Sequence, residues 1–294
     1  MTQALCPCIL LIGKNGQVGW ELQRTLAPLG EVVALDRQQL DLSNPAQIQE
    51  RVREIKPGLI VNAAAYTTVD RAEAEPELAM AVNGTAPGIL AEEAKRIGAA
   101  IIHYSTDYVF DGTKTIPYTE EDAPNPLNVY GHTKLAGEQA VQAAGVPHLI
   151  LRTSWIYGLR GKNFLRTVLK LLESDREELR VVDDQVGAPT WCRMVAEATA
   201  QIIAKDGDLF RETGGTYHLS AGGQTSWYGF AGEIMRYALH FIPYTTRLRS
   251  IPTSEYPTPA CRPAYSVLSN AKLKVAFGVV LPGWEEGLKL ALGP

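Results

Sequence analysis

The chain has 294 residues, of which 46% are hydrophobic and 20% charged, and its formal net charge is −4. These values are ordinary for a globular protein with a sizeable core, so they exclude wholesale disorder and argue against a broad nucleic-acid-binding surface. No run of about 18 uncharged apolar residues occurs, and no membrane-spanning helix is therefore predicted.

The cysteines have neither the spacing of a zinc site nor that of a disulfide framework. They are Cys6, Cys8, Cys192 and Cys261. We interpret them as small, mostly buried apolar residues of a protein from a reducing compartment. The apolar N-terminal run lacks a basic leader and passes directly into a glycine turn, which is typical of a first strand rather than a signal peptide. The sequence therefore predicts a cytoplasmic protein.

A strand, a glycine-rich turn and a helix are predicted at the start of the chain. The strand is the apolar run 8–12, and the helix covers 20–29. The turn has the pattern G-x-x-G-x-x-G and consists of Gly13, Lys14, Asn15, Gly16, Gln17, Val18 and Gly19. Glycines let the backbone approach a pyrophosphate, and the helix N-terminus supplies free N–H groups. The segment therefore predicts a dinucleotide-binding turn.

The second predicted strand, 31–36, ends in an acid. A carboxylate at the position of Asp36 typically binds the ribose 2′-hydroxyl of NAD. The guanidinium of the next residue, Arg37, could instead receive the 2′-phosphate of NADP. Both nicotinamide cofactors therefore remain open.

A second acid follows at Asp41, beside Leu42, just before the helix that Asn44–Pro45 opens. The Asp41 carboxylate could serve the adenine ring of a cofactor, or it could cap this helix. Capping is the simpler interpretation, because Asp is among the preferred N-cap residues.

The third strand is predicted over 58–65 and ends in three small residues, Ala63, Ala64 and Ala65. Such residues leave room for a flat ligand against the backbone, or they allow tight packing between helix and strand. Helices are predicted near 69–80 and 85–97, and further strands over 99–104 and 148–152.

Strands and helices thus alternate, which predicts an α/β fold with a doubly wound, Rossmann-like parallel sheet. Ligands of such sheets bind at the carboxyl ends of the strands. Beyond about residue 155 the alternation loosens. We therefore predict a dinucleotide-binding domain over 1–154 and a smaller, mainly substrate-binding domain over 155–294, some segments of which return to the first domain.

A tyrosine and a lysine, Tyr130 and Lys134, are predicted to share one face of a helix because they are four residues apart. A fixed cation near a phenol favours the phenolate and brings the group into the range useful for acid–base chemistry. A hydroxyl from the segment 105–112, at the carboxyl end of a strand, would complete a hydroxyl–phenol–ammonium set.

These motifs together resemble the extended short-chain dehydrogenase/reductases, and among them the dTDP-4-dehydrorhamnose reductase family, over nearly the whole chain. The stretches that carry the resemblance are 13–19, 61–65, 105–112, 127–138, 152–158, 183–190 and 256–263. The strings STDYVFDG and RTSWIYG within them are much more specific than the glycine turn. The resemblance implies a reductase that uses NADPH or NADH to reduce the C4 ketone of a dTDP-linked deoxysugar to dTDP-L-rhamnose.

The resemblance also implies roles for individual residues. Tyr130 would be the proton donor, Lys134 its electrostatic partner and the ribose anchor, and Thr106 the hydroxyl that holds the ketone oxygen. Asp107 and Trp155 would contact the sugar nucleotide. The pyrophosphate would lie over Gly16, Gln17 and Val18, and the cofactor would run along Ala63, Ala64 and Ala65.

One departure from the family pattern concerns a metal. Some relatives hold Mg²⁺ at a dimer interface through three glutamates. Glu21 matches the first, Arg193 stands where the second is expected, and the sequence ends at Pro294 before a third. The expectation is therefore no metal site and a monomer or weak homodimer, with a dTDP-sugar as substrate and neither nucleic acid nor membrane as partner.

Two other functions are compatible with the same fold. One is a non-catalytic regulatory subunit of methionine adenosyltransferase, against which the intact set of Thr106, Tyr130 and Lys134 argues. The other is a nucleotide-sugar epimerase or dehydratase, which would keep NAD bound through its cycle. Oxidation of NADPH in the presence of substrate would distinguish a reductase from the regulatory subunit. The cofactor content of the purified protein would distinguish a reductase from the epimerase or dehydratase.

Overall fold

The computed structural model describes residues 8–174, 176–205 and 210–293. The predicted interpretation of Cys6 and the chain end at Pro294 lie outside these residues. The strands are β1 (Cys8–Ile12), β2 (Glu31–Leu35), β3 (Leu59–Asn62), β4 (Ala100–Thr106), β5 (His148–Thr153), β6 (Ile156–Tyr157), β7 (Glu178–Val182), β8 (Val186–Gly187), β9 (Thr190–Trp191), β10 (Gly215–His218), β11 (Thr225–Ser226) and β12 (Arg247–Ile251).

The helices are α1 (Gln17–Thr25), α2 (Pro45–Ile55), α3 (Val69–Ala72), α4 (Pro76–Met80), α5 (Ala86–Ile97), α6 (Val129–Ala144), α7 (Phe164–Leu172), α8 (Cys192–Lys205), α9 (Trp227–Ala238), α10 (Ala271–Phe277) and α11 (Trp284–Leu292). A π-helical turn, Ala81–Thr85, joins α4 to α5. Among the described residues, none of the helices is both long enough and apolar enough to cross a membrane.

The predicted doubly wound sheet is confirmed. Six parallel strands lie in the order β10-β5-β4-β3-β1-β2. In β1, Ile9 and Leu11 pack into the core on one face, with residues of α1 and α8, while Leu10 and Ile12 pack into the core on the other, with residues of α2, α5 and α6. Because both faces are covered, these strands consist of near-continuous apolar residues. A third core, between residues 157 and 292, joins α7, α9 and α11.

Several predicted boundaries differ from the structure. The third strand, predicted over 58–65, covers only Leu59–Asn62. The first helix begins at Gln17 rather than residue 20, because Gly16 is its N-cap, and it ends at Thr25. The helix predicted near 69–80 is broken into α3 and α4, since Pro76 starts a new helix. Strand β4 continues to Thr106, two residues beyond its predicted end, which places the Thr106 hydroxyl at the carboxyl edge of the sheet.

The interpretation of Asp41 as a helix cap is wrong. The Asp41 carboxylate accepts hydrogen bonds from the backbone N–H of Ser43 at 2.9 Å and from its hydroxyl at 2.8 Å, which closes a local turn. The N-cap of α2 is Asn44, whose side chain accepts from the N–H of Gln47 at 3.2 Å. Asn44 lies directly before Pro45, the first helical residue, and therefore has the capping position.

Helix α6 packs closely against neighbouring backbone at two of its turns, around Gly131 and Gly137. Asn128 caps it by accepting from the N–H of Gly131 at 2.8 Å. A Cβ at Gly131 would lie 2.3 Å from the carbonyl oxygen of Tyr108, and one at Gly137 would lie 2.1 Å from that of Asn83. Only glycine fits such contacts, so the helix approaches the end of β4 and the π-helical turn without intervening side chains.

Candidate active site

The structure brings Thr106, Tyr130 and Lys134 together where β4 meets α6. The backbone N–H of Tyr108 donates to the Thr106 hydroxyl oxygen at 3.1 Å and so fixes its position. The Thr106 and Tyr130 hydroxyls lie within hydrogen-bonding reach of each other. Because both lie beyond the carboxyl end of a central strand, the pair occupies the edge at which ligands of this fold bind.

Tyr130 is half-buried and its phenol is protonated at neutral pH. Burial raises the pKa of Tyr130 to about 12; the hydrogen bond with Thr106 lowers this pKa, and the charge of Asp107 raises it. The expectation that a neighbouring cation would favour the phenolate is therefore wrong for this arrangement. The reason is geometric, since the Lys134 ammonium is bonded elsewhere. A protonated phenol suits a proton donor.

Lys134 is 2% exposed, and its amine is held by neutral groups. Its Nζ donates to the carbonyl oxygen of Tyr104 at 2.6 Å and lies 3.2 Å from Nε2 of His103. Burial lowers the pKa of Lys134 to about 8, although the charge of Glu138 raises it. An ammonium has three N–H donors, so within the described residues one of them remains for a ligand.

A buried ion pair lies one helical turn further along α6. Arg152 of β5 binds Glu138 through Nε at 2.9 and 3.2 Å and through Nη2 at 2.6 Å. The side chains are 5% and 1% exposed, respectively. Such a bidentate pair fixes the helix to the sheet directly beneath Lys134.

Asp107 is buried beside the hydroxyl of Thr106. Its carboxylate accepts from Thr106 at 3.1 Å and from Ser154 at 3.0 Å, and it is also hydrogen-bonded to Ser266. Burial raises the pKa of Asp107 to about 6, against the lowering effect of these hydroxyls. Its predicted contact with the sugar nucleotide stays a prediction; in this structure the carboxylate orients the surrounding hydroxyls.

Trp155 lies on a strained piece of backbone between β5 and β6, with φ of +46°. This left-handed conformation is unusual for a bulky side chain. Its ring stacks on that of Trp227, with 3.5 Å between centroids and 2° between planes. A Cβ at Gly187 would lie 2.4 Å from the Trp155 ring. The three residues thus hold a half-buried aromatic wall in one orientation.

The glycine turn has the geometry of a dinucleotide-binding loop. Gly13 has φ of +91°, and a Cβ there would lie 2.8 Å from the backbone nitrogen of Ala64. A Cβ at Gly19 would lie 2.1 Å from the carbonyl oxygen of Gly13. No side chain caps the N-terminus of α1 at Gly16, so its N–H groups are left to bind an anion.

The predicted residues around this loop lie as follows. The side chain of Gln17 accepts from Asn163 at 2.7 Å, which ties the loop to the segment after β6. Val18 packs against one core of the sheet, and Leu42 is buried in the other. Ala63 donates to the carbonyl oxygen of Ile12 at 3.0 Å, and Ala64 donates to Oδ1 of Asn62 at 3.2 Å. Ala63, Ala64 and Ala65 are half-buried, at the carboxyl end of β3.

Asp36 is surrounded by donors at the end of β2. Its carboxylate lies 3.4 Å from the ammonium of Lys14 and 3.3 Å from the amide of Asn15. It also accepts from the backbone N–H groups of Gln38 at 3.0 Å and Gln39 at 3.2 Å. Arg37 is exposed. One cation, Lys14, thus lies beside the carboxylate at the position predicted for the ribose, while the charge of Arg37 acts on Asp41.

The glutamate predicted to match a metal ligand lies among arginines. Glu21 is 3.8 Å from Arg24, and Arg193 forms an ion pair with Glu197 at 2.9 Å. Within residues 8–174, 176–205 and 210–293, no group of three or more His, Cys, Asp or Glu residues is placed to hold a metal ion.

Four further side chains reach the site and were not predicted. His103 contacts Lys134, Asn62 contacts His103, Ser154 binds Asp107, and Trp227 stacks on Trp155. For His103 and Asn62 the sequence does contain a signal, because each is a polar residue inside an otherwise apolar strand that is buried on both faces.

Comparisons with known proteins agree with this geometry. The family model described as the RmlD substrate binding domain matches residues 8–294. A dTDP-4-dehydrorhamnose reductase of Burkholderia thailandensis is 50% identical over 97% of both chains. A crystal structure of dTDP-4-dehydrorhamnose reductase from Bacillus anthracis, in complex with NADP, is 36% identical with a TM-score of 0.90 and covers 98% of this chain and 99% of its own. The UDP-glucose 4-epimerase of Thermus thermophilus, in complex with NAD, is 20% identical over 97% of both chains with a TM-score of 0.81 and shares the fold alone.

Proposed function

Because this chain belongs to the dTDP-4-dehydrorhamnose reductase family, we propose that it catalyses the NAD(P)H-dependent reduction of dTDP-4-dehydrorhamnose (dTDP-4-dehydro-6-deoxy-L-mannose). The C4 ketone becomes a hydroxyl, and the product is dTDP-L-rhamnose, a nucleotide sugar used in the biosynthesis of cell-surface polysaccharides. The observation that carries the proposal is the convergence of Thr106, Tyr130 and Lys134 at the carboxyl end of β4.

The nicotinamide cofactor, when bound, supplies the hydride. Negative charge then grows on the C4 oxygen, and Tyr130 donates its phenolic proton to that oxygen. Thr106 supplies a second hydroxyl at the same edge, held in place by the N–H of Tyr108. Donors fixed in advance where charge develops stabilise a transition state more than mobile water does. Lys134 anchors the cofactor ribose with its remaining N–H.

The residues present fit a dinucleotide. Gly13 and Gly19 form a cradle that any Cβ would fill, and the N-terminus of α1 offers N–H groups to a pyrophosphate. Asp36 suits a ribose 2′-hydroxyl, while Lys14 and Arg37 suit a 2′-phosphate. We therefore expect both NADH and NADPH to be used, with kcat/KM values that differ by less than about a thousandfold, or 4 kcal/mol.

The aromatic wall and the residues around it belong to the proposed substrate side. Trp155 and Asp107 contact the sugar nucleotide, and residues 155–294 mainly bind substrate while 1–154 bind the cofactor. The protein is proposed to be cytoplasmic and a monomer or weak homodimer. It is also proposed to work without Mg²⁺, since Arg193 pairs with Glu197 beside Glu21.

The test is turnover of dTDP-4-dehydrorhamnose with each nicotinamide, followed by absorbance at 340 nm and by NMR of the sugar product. Formation of dTDP-L-rhamnose with either cofactor supports the proposal, and Tyr130→Phe serves as the inactive control. Cofactor that is not oxidised, although it binds, would point to a binding protein instead. The same assay in EDTA tests the metal, because activity that is lost there and returns with Mg²⁺ would contradict metal-independent turnover.

A further inference from the structure

His103 is a buried titratable group that the proposed mechanism does not use. It lies in the middle of β4 and is fully buried. Its Nε2 is 3.2 Å from Nζ of Lys134, and its Nδ1 is 3.2 Å from the amide nitrogen of Asn62. Asn62 and His103 are direct neighbours in the register of β3 and β4. Side chains from β3, β4 and α6 thus form one buried series of polar contacts, from Asn62 through His103 to the amine of Lys134.

We propose that His103 is a positioning residue of the reductase, which holds the amine of Lys134 through Nε2 and is itself held through Nδ1 by Asn62. The inference rests on the function proposed above for Lys134. His103 acts through that lysine and does not touch substrate or cofactor. Together with the carbonyl oxygen of Tyr104 it fixes two directions of the amine, so that the remaining N–H points into the site.

The protonation state of Lys134 determines which ring nitrogen of His103 carries the proton. Burial lowers the pKa of His103 well below its ordinary value, and the charge of Lys134 lowers it further, so the imidazole is neutral. A neutral imidazole has one donor and one acceptor nitrogen. When Lys134 is an ammonium, Nε2 must accept from it, and the Nδ1–H needs an acceptor. The Asn62 amide must then turn over from its position in the structure, where its nitrogen faces Nδ1, so that its oxygen accepts from Nδ1–H.

When the lysine is a neutral amine, the directions reverse. Nε2–H then donates to Nζ, and the Asn62 amide N–H donates to Nδ1. In this arrangement Oδ1 of Asn62 accepts from the N–H of Ala64, at the observed distance of 3.2 Å. The tautomer of His103 and the orientation of the Asn62 amide therefore follow the protonation state of Lys134.

The charged and titratable groups that face Lys134 are few. His103 approaches it from β4, and Tyr130 and Glu138 lie one turn away on α6 itself. Glu138 is bound by Arg152 rather than by the amine. The imidazole is therefore the side chain that sets the direction of Nζ. Without it, the amine would lose an acceptor in a buried site and be free to turn away from the ribose.

The first experiment compares two replacements of His103. His103→Gln keeps an oxygen acceptor near the position of Nε2, whereas His103→Met keeps the bulk and removes the acceptor. We expect His103→Met to lower both kcat and the affinity for NADPH by about tenfold or more, as for loss of a hydrogen bond to a charged group. His103→Gln should recover most of both. Recovery by the acceptor distinguishes positioning from a structural role, since both variants disturb packing.

His218→Met is the matched control. His218 is also fully buried in a strand of the sheet, but its Nδ1 faces the carbonyl oxygen of Tyr118 and not the catalytic amine. Per folded molecule this variant should keep the kcat and the cofactor affinity of the wild type. Wild-type values for His103→Met, or equal losses for His103→Met and His103→Gln, would overturn the proposal.

The second experiment needs neither substrate nor a variant that folds poorly. In ¹⁵N-histidine-labelled wild-type protein, the His103 resonances should change from the Nδ1–H to the Nε2–H tautomer as the pH rises through about 8, the pKa of Lys134. A single tautomer on both sides of that pH would overturn the coupling. Because this measurement uses no dTDP-sugar, it remains decisive even if the wild type fails to reduce dTDP-4-dehydrorhamnose, a result that would count against the proposed function alone.

Discussion

Two charged side chains of α6, Lys134 and Glu138, lie one turn apart and are both buried, yet they are held in different ways. Glu138 is bound by the guanidinium of Arg152 through contacts of 2.6–3.2 Å. Lys134 is bound by a carbonyl oxygen and an imidazole nitrogen, both neutral. Within the part of the chain that the structure describes, no carboxylate lies within ion-pair distance of its amine.

The difference separates a structural charge from a working one. A buried charge that has a fixed opposite partner stays ionised, and it ties two elements together. A buried charge held by neutral dipoles carries the cost of desolvation, so its pKa moves towards neutrality and its unused donor is available to a ligand. The Tyr130 end of α6 is thus the reacting end, and the Glu138 end fixes the helix to β5.

The largest effect should come from the reacting end itself. Tyr130→Phe removes the proton donor and keeps the ring, so we expect kcat to fall by about 10²–10⁴-fold with cofactor binding largely intact. Stopped-flow hydride transfer and cofactor titration measure the two quantities. Tyr104→Phe, which removes a buried hydroxyl bonded to Thr199, is the control and should retain kcat. If Tyr130→Phe kept more than about a tenth of the wild-type kcat, Tyr130 would not be the acid.

At the structural end, Arg152→Met should act on stability. It leaves the Glu138 carboxylate buried without its partner, and we expect the free energy of unfolding to fall by about 3–5 kcal/mol. Urea denaturation followed by circular dichroism measures this change. Replacing both partners, in Glu138→Gln/Arg152→Met, should recover much of the loss because no uncompensated charge remains. A kcat per folded molecule that fell as far as in Tyr130→Phe would contradict the separation of the two ends.

Lys134→Met should give the opposite pattern. It removes the ribose anchor, so we expect kcat and cofactor affinity each to fall by about ten- to a hundredfold. It also removes a desolvated charge, and the free energy of unfolding should change by less than about 2 kcal/mol. Isothermal titration with NADPH and urea denaturation test both statements on one sample. A loss of stability as large as that of Arg152→Met would show that Lys134 is structural too.

Thr106→Val is expected to cost less than Tyr130→Phe. It is nearly isosteric and removes an orienting donor without removing the proton source, so kcat should fall by about a hundredfold or less. The steady-state rate with saturating cofactor measures it, and Thr199→Val, which alters a buried threonine away from the site, is the control. A loss greater than that of Tyr130→Phe would make Thr106 the more important donor.

Much of this arrangement could be predicted because its determinants are local. The glycine turn follows a strand directly, and Tyr130 and Lys134 share a helix face through their spacing alone. The contact between Lys134, His103 and Asn62 depends instead on the register of β3 with β4 and on how closely α6 approaches them. Sequence spacing does not contain that information, so the predicted effect of Lys134 on the phenol was wrong.

The substrate side shows the same limit more strongly. Trp155 could be predicted from its motif. Its partner Trp227 is distant in sequence and is positioned by packing against the third core, between residues 157 and 292. The break between α3 and α4 has a local signal, because Pro76 suits the first position of a new helix, and the prediction of one helix near 69–80 does not use it.

The smallest expected effect tests whether the two ends of α6 influence each other. The amine of Lys134 is charged below its pKa of about 8 and neutral above it, so kcat/KM for the cofactor should fall as the pH rises through that value. The charge of Glu138 raises this pKa. In Glu138→Gln/Arg152→Met the negative charge is gone, so the pKa of Lys134 should move to a lower value. The pH dependence of kcat/KM measures the shift.

A second double variant provides the control for this shift. Glu93→Gln/Arg53→Met removes another ion pair, between a carboxylate that is 2% exposed on α5 and a half-exposed arginine on α2, far along the chain from Lys134. This variant should leave unchanged the pH at which kcat/KM for the cofactor falls. If that pH moved equally in both double variants, general destabilisation would be the cause. If it moved in neither, the Glu138 charge would be fully compensated by Arg152, and the two ends of α6 would be electrically as well as functionally separate.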